Sequence, residues 1–468
     1  MQPNKLTLTE IISGYKKKEF KPSELVAAYK KEYEAHKELN AYIEFFDEAE
    51  EKARELEAKA KGSQPLWGIP GAIKDNFAVK GKGQTCASHI LQGYISPTDS
   101  VVVDRLNKNG FINLGRVNMD EMAMGATGRY SYYGPTLNPL DHNRVVGGSS
   151  SGSACAVAAD MAAFSMGSDT GGSSRLPASN TGICGFKPTY GAIPRSGLAA
   201  FAPSLDVPGI LAKTPEDIAV VFDAVAGSSR LDESSINVDK AGLLTAEPVS
   251  LKGKKIGCFT KFAAKAHTTV LNAFEHVKDY LRSEGAVLID IDLEVESHLL
   301  NIYYTTACSE AASSLSRYDG ARYGLKLDAE TSDKLFRKTR TEGFGHEVQR
   351  RILLGNYFLR EENYKDWYEK ALHIRQRLRN KINSLTQDDI NIFLIPGFNE
   401  AALIDAPEED NYTSDLVSVF ANLSGIPALA LPVKEGENKL PVSIQLSGAH
   451  GQDAKILKLG QMLYKNFK

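Results

Sequence analysis

Between residues 254 and 293 the chain reads KKIGCF, then TTVLNAFEHVKDYLRSEG, then AVLIDIDL. The outer pieces are short apolar runs. The middle piece repeats apolar residues at helical spacing and stops at Gly285. Strand, helix and strand in that order give an α/β layered fold. The pattern recurs elsewhere. DSVVVDRLNKNG followed by FINLGRVN reads as helix, glycine turn and strand, and PEDIAVVFDAVAG (215–227) reads as a helix with a glycine stop. The C-terminal part reads as strand NIFLIP, helix SDLVSVFANLSG, strands ALALPV and VSIQLSG, and helix QDAKILKLGQMLYKNF.

Two regions are richer in helix. Residues 1–62 hold PSELVAAYKKEYEAH, opened by Pro22 and Ser23, and the charged EAEEKARELEAKAKG, stopped by Gly62; AYIEFF (41–46) between them is a strand candidate. Residues 296–385 include one long charged helical run, EVQRRILLGNYFLREENYKDWYEKALHIRQRLRNKI. The loosest stretch is 228–253, and no repeat or low-complexity linker divides the chain. The reading is one large domain over 1–468, with an N-terminal helical region and a largely helical insertion.

With a formal charge of −3, the 468 residues carry no global basic field for non-specific nucleic-acid binding. Five widely spaced cysteines without a CxxC argue against a disulfide framework or a zinc site and fit a reducing compartment. No apolar run approaches a membrane span, and MQPNKLTLTEIISGYKKKEF lacks the apolar core of a secretory signal. A cytoplasmic location without a bound metal is expected.

The chemistry concentrates at 147–175, GGSSSGSACAVAADMAAFSMGSDTGGSSR. A flexible linker would not carry the helix AVAADMAAF and the buried strand AFSMGSD between its glycines. A phosphate cradle would need GxxxxGK[ST] or GxGxxG, and neither is there. Nucleophilic catalysis remains. A serine hydroxyl needs a base, yet 143–266 contain no histidine, His142 sits in a turn-like LDHNR, and GxSxG is missing. A lysine made neutral by burial can serve instead. Lys74 follows the apolar run GIPGAI, whereas most lysines of the chain lie in polar helices; taken alone it is equally a surface charge at a strand end.

IKDN, GGSSSGSA, GSDTGGS-R and GFKPTYG, in that order, resemble the amidase signature family. The resemblance implies a central mixed β-sheet covered by helices on both faces and a Ser-cisSer-Lys triad. Ser173 would be the nucleophile, Ser149 the bridging serine beside a cis peptide bond, and Lys74 the base. The N–H groups of Thr170, Gly171, Gly172 and Ser173 would form the oxyanion hole. Glycines suit that role because successive N–H groups can turn towards one point.

Within the family the chain is similar, along nearly its whole length, to the A subunits of tRNA-dependent amidotransferases. The matching stretches are NMDEMAMG (118–125), NPLDHNRVVGGSS (138–150), GFKPTYGAIPRSGLAAFAPSLD (185–206), YYTTACSEAASSLSRYDGARYG (303–324), TEGFGHEVQRRILLG (341–355) and SDLVSVFANLSGIPALALPV (414–433). The similarity implies a glutaminase that feeds ammonia to B and C partner subunits, which convert Glu-tRNA(Gln) to Gln-tRNA(Gln). ATP and magnesium would be used by the B partner, with no cofactor in this chain and no membrane partner. Arg351 would hold the glutamine carboxylate, Asp415 its ammonium, and Tyr303 would line the site. Without the resemblance, Arg351 beside Arg350 reads as a surface ion pair, and Asp415 as an acid at a helix start. The alternatives are a stand-alone amidase for small or aryl amides and a non-catalytic scaffold subunit. Three departures from the family pattern stand near the motifs: Ser151, Ser174 and the segment ATGRYSYYG (126–134).

Overall fold

The computed structural model describes residues 2–59, 64–242, 249–406, 415–435 and 439–467. Three helices open the chain: α1 (Leu8–Lys17), α2 (Pro22–Ala35) and, after strand β1 (Tyr42–Phe45), α3 (Glu48–Ala58). Each start has a local reason. Thr7 and Glu10 form a capping box on α1, and the Lys21 N–H donates to Glu24 ahead of Pro22 on α2. Gly62, assigned as the stop of the third helix, lies outside the described residues, as do 243–248 of the loose stretch and Ser414 of SDLVSVFANLSG.

Strands and helices then alternate except at one pair of successive strands, the last two named here: β2 (Pro70–Lys74), α4 (Val101–Lys108), β3 (Ile112–Val117), α5 (Ser151–Ala158), β4 (Phe164–Asp169), α6 (Arg175–Thr181), β5 (Cys184–Lys187), β6 (Val207–Ala212) and α7 (Pro215–Val225). The KKIGCF unit is β7 (Lys255–Cys258), α8 (Thr268–Ser283) and β8 (Val287–Asp290), whose two strands pair in parallel. Then come α9 (Leu299–Ser314), α10 (Ser332–Gly343), α11 (His346–Leu359), α12 (Glu361–Tyr364), α13 (Lys370–Gln387), β9 (Ile390–Pro396), α14 (Val419–Ser424), β10 (Ala428–Glu435), β11 (Pro441–Gly448) and α15 (Asp453–Phe467).

One mixed sheet of 11 strands runs β1-β3-β2-β4-β6-β5-β10-β11-β9-β7-β8. β2 is parallel to both β3 and β4, β9 and β7 are parallel, and β4 through β9 in that order pair antiparallel. The pleat sends alternate residues to two cores. Leu429 and Leu431 join the core under α1, α7, α8 and α15. Ala428 and Ala430 join the core under α9, α11, α13 and α14. Helices therefore cover both faces.

Two helix boundaries differ from the sequence reading. AVAADMAAF was expected to be helical, yet α5 starts earlier, at Ser151, and ends at Ala158, where Asp160 turns left-handed at φ 56°. The shift works because small residues face the sheet: a Cβ on Gly152 would come within 2.3 Å of the Ala41 carbonyl oxygen. The long charged run is also broken. Arg360 is extended (ψ 145°) between α11 and α12, and residues 365–369 form a π-helical turn before α13.

Candidate active site

Strand β2 ends on Lys74, and its parallel neighbour β4 ends on Ser168 and Asp169. The chain leaves β4 through residues 170–174 and enters α6 at Arg175, while α5 starts just after Ser149 and Ser150. Two strand C-termini and two helix N-termini thus converge on one point. The Gly148–Ser149 peptide bond is cis.

The Lys74 amine is fully buried and lies 2.8 Å from Ser149 Oγ, 2.9 Å from Ser150 Oγ and 2.9 Å from Ser168 Oγ; protonated it donates to all three, and neutral it keeps two N–H donors and one lone pair that can accept a proton. Burial pushes its pKa down to about 7, against the pull of the Asp120 and Asp169 carboxylates. The three hydroxyls are not equivalent. Ser150 donates its proton to the Ser168 carbonyl at 3.1 Å, and Ser168 Oγ also accepts from Asn76 Nδ2 at 2.9 Å. Ser149 has Lys74 alone as its side-chain partner among the described residues. Of the three it is the one whose chain neighbour, Gly148, lines the cleft with Ser173.

Ser173 opens into a narrow cleft lined with Gly148, Gly171, Gly172, Tyr303, Arg351 and Asp415. The loop that carries it is anchored by a buried ion pair. Arg175 grips Asp169 through Nε to Oδ2 at 3.1 Å and Nη2 to Oδ1 at 3.0 Å. Asp169 in turn accepts the Gly172 N–H at 2.9 Å, the Ser174 N–H at 3.1 Å and Asn422 Nδ2 at 3.0 Å. Burial alone would raise the Asp169 pKa; the Arg175 and Lys187 charges hold it well below the usual carboxylate range. Gly172 adopts φ 125°, and a Cβ there would press on Ser418 Oγ at 2.6 Å.

This anchoring revises one expectation. Of the four N–H groups expected to form the oxyanion hole, that of Gly172 is taken up by Asp169. Those of Thr170, Gly171 and Ser173 have no intramolecular acceptor among the described residues. The Ser149 and Ser173 hydroxyls share no hydrogen bond in this state, although the Ser150 N–H donates to the Ser173 carbonyl at 3.1 Å. His142 is exposed, and no histidine lines the cleft among the described residues.

Opposite Ser173 sit two buried charges. Arg351, on α11, stacks over Tyr304 at 5.4 Å and Phe201 at 5.7 Å, and its Nε donates to Glu347 Oε1 at 2.7 Å. Asp415 accepts from the Tyr304 hydroxyl at 2.8 Å, and burial pushes its pKa up to about 6 despite that bond and the nearby Arg351. Tyr303 lies against the nucleophile loop, since a Cβ on Gly171 would meet its hydroxyl at 2.5 Å. Helices α9 and α11 are drawn together at Gly355, where a Cβ would lie 2.0 Å from the Cys308 carbonyl oxygen.

Gly171, Gly172, Ser173, Tyr303, Arg351 and Asp415 therefore line one cleft, Lys74 and Ser149 meet in a buried pocket, and the Thr170 hydroxyl donates to Asp206. Sequence reading missed Ser168, Asn76, Tyr304, Glu347, Asn422 and the Asp169–Arg175 pair. The three departures also have places. Ser151 Oγ meets Thr136 Oγ1 at 3.1 Å, and Ser174 Oγ is buried against Gly167 and Gly209. In 126–134, Ala126 lines the cleft, the Gly128 and Tyr130 N–H groups donate to Asp120, and exposed Tyr132 stacks on His89. Among the described residues no group of three or more His, Cys, Asp or Glu could hold a metal ion, and no helix is long and apolar enough to cross a membrane.

The family model described as Amidase matches residues 24–457. The A subunit of glutamyl-tRNA(Gln) amidotransferase from Treponema denticola is 41% identical over 97% of this chain and 98% of its own length. Its counterpart from Akkermansia muciniphila is 40% identical over 98% of this chain and 99% of its own. The crystal structure of the same type of protein from Thermotoga maritima superposes with a TM-score of 0.81 at 31% identity, covering 100% of this chain and 96% of that one. The chain belongs to the amidase signature family.

Proposed function

We propose that this chain is the glutaminase subunit of a glutamyl-tRNA(Gln) amidotransferase. The observation that carries the reading is the pairing of a buried guanidinium, Arg351, with a buried carboxylate, Asp415, in the same cleft as Ser173. A simple amide has no use for both charges. A free amino acid presents one carboxylate and one ammonium, which the pair complements. The relatives, glutamyl-tRNA(Gln) amidotransferase chains at about 40% identity, support the same substrate.

In the proposed reaction Ser173 Oγ attacks the side-chain amide carbon of glutamine. Ser149 takes the Ser173 proton and passes its own to neutral Lys74. The oxyanion forms against the N–H groups of Gly171, Ser173 and Thr170. Collapse breaks the carbon–nitrogen bond, and the Lys74 proton returns through Ser149 to the leaving nitrogen, releasing ammonia. Water, deprotonated by the same relay, then cleaves the glutamyl ester to glutamate. Ammonia passes to a B partner, which works with a C partner and uses ATP and magnesium to amidate Glu-tRNA(Gln). This chain itself takes no cofactor and acts in the cytoplasm.

The test uses the chain assembled with its B and C partners. Ser173→Ala is expected to abolish glutamine-dependent formation of Gln-tRNA(Gln) while leaving amidation from added ammonium intact. Glutamine still serving as nitrogen donor to that variant would refute the assignment.

A further inference from the structure

Glu347 is buried, with 5% of its surface exposed, yet it does not line the cleft. It lines a separate groove with His89, Tyr132 and Phe344 on the far side of Arg351. One helical turn apart on α11, Glu347 Oε1 accepts the Arg351 Nε–H at 2.7 Å. Arg350 holds the same carboxylate from outside, with Nε to Oε2 at 2.7 Å and Nη2 to Oε1 at 2.8 Å.

We propose that Glu347 is a positioning residue that aims the terminal nitrogens of Arg351 into the cleft, and so sets its selectivity for amides that carry an α-carboxylate. The inference rests on the glutaminase reading. A guanidinium has five N–H donors in a fixed planar fork. With Nε engaged from behind and one face against Tyr304, the edge left to meet a carboxylate bidentately is the Nη1–Nη2 edge. Helix α11 itself is pinned. The Gly345 N–H at its start donates to both Glu121 oxygens, at 3.1 and 2.9 Å, and Gly355 is wedged against the Cys308 carbonyl. The fork therefore cannot adjust by sliding the helix.

Glu347 also decides whom Arg351 pairs with. Asp415 is the acid across the cleft, close enough that the Arg351 charge favours its ionised form. Without Glu347 the buried guanidinium turns to Asp415, and the two substrate-binding charges neutralise each other. Glutamine must then break that pair before it can bind. The defect falls on binding, because Lys74, Ser149 and Ser173 are untouched.

The experiment measures glutamine hydrolysis by the full chain in its assembly for wild type, Glu347→Ala and Glu347→Gln. Reaction of Ser173 with a fluorophosphonate, which needs no amino-acid clamp, is followed in parallel. Glu347→Ala is expected to raise KM for glutamine at least tenfold with kcat within threefold of wild type. Glu347→Gln, which keeps an oxygen for Arg351 Nε, is expected to recover part of that loss. Fluorophosphonate labelling is expected to stay within threefold of wild type in both. An unchanged KM in both variants, or a parallel fall in kcat and labelling rate in both, overturns the positioning role. If Glu347→Ala fails to fold, Glu347→Gln decides alone, with a KM rise of at least threefold expected. A wild-type assembly that hydrolyses no glutamine while its Ser173 still reacts with the fluorophosphonate would instead refute the function proposed above.

Discussion

Lys74 gives the sharpest physical test of the site. Replacing it with methionine removes the base and also removes an amine that the fold keeps near neutrality. In the folded protein its pKa is about 7 against an ordinary value of 10.5. Unfolding therefore lets the amine take up a proton at any pH between those values, so wild-type stability rises with pH across that window. The cost of holding the amine neutral is about 4 kcal/mol at pH 7 and about 2 kcal/mol at pH 9. Against this, Lys74→Met loses three hydrogen bonds to Ser149, Ser150 and Ser168, worth about 1 kcal/mol each. The hydrogen-bond loss is the same at both pH values, so the variant's stability relative to wild type is expected to fall by about 2 kcal/mol between pH 7 and pH 9. Lys187, also buried with a pKa of about 7, is present in both proteins and cancels in the comparison. Urea unfolding of both proteins at the two pH values measures the swing of about 2 kcal/mol. A difference in stability that does not change with pH would mean that Lys74 is not a buried neutral amine, and the relay through Ser149 would lose its base. Activity should be lost in the variant at either pH.

The other predictions concern binding and the nucleophile loop. Asp415 must be ionised to hold an ammonium, and its pKa is pushed up to about 6; KM for glutamine should be flat above about pH 7 and rise tenfold per unit well below pH 6, and steady-state kinetics from pH 5 to 8 would show whether it does. Arg175→Met strands the Asp169 carboxylate in the interior and should cost about 3–5 kcal/mol of stability in urea titration, whereas a loss under 1 kcal/mol would mean that the pair does not anchor the loop. Gly171→Ala places a Cβ where the Tyr303 hydroxyl lies, 2.5 Å away, and should lower kcat/KM at least tenfold, because either Tyr303 or the N–H groups of the loop must move.

How much of this site was legible in the sequence depended on how far apart its members lie along the chain. Lys74 stood out because it ends an apolar run, and the serine and glycine clusters because such residues are costly in helices and strands unless something requires them. Ser168 did not stand out, since one serine inside the strand FSMGSD looks like any other polar residue at a strand end, and only the parallel pairing of β2 with β4 brings it to the amine. The Asp169–Arg175–Asn422 anchor spans 253 residues, and Glu347 and Tyr304 have roles only through partners on other elements or faces. Helix ends were misplaced for a related reason. The bounds of α5 are set by contact with Ala41 and by the turn at Asp160, not by its own alanines. The same logic bears on the departures from the family pattern. Ser151 and Ser174 sit behind the loops and bear no charge, so they leave the proton path through Ser149 as it is. The 126–134 segment differs in kind, because two of its N–H groups hold Asp120, the carboxylate whose charge acts most strongly on Lys74. A change there reaches the base without touching it, through the charge of Asp120.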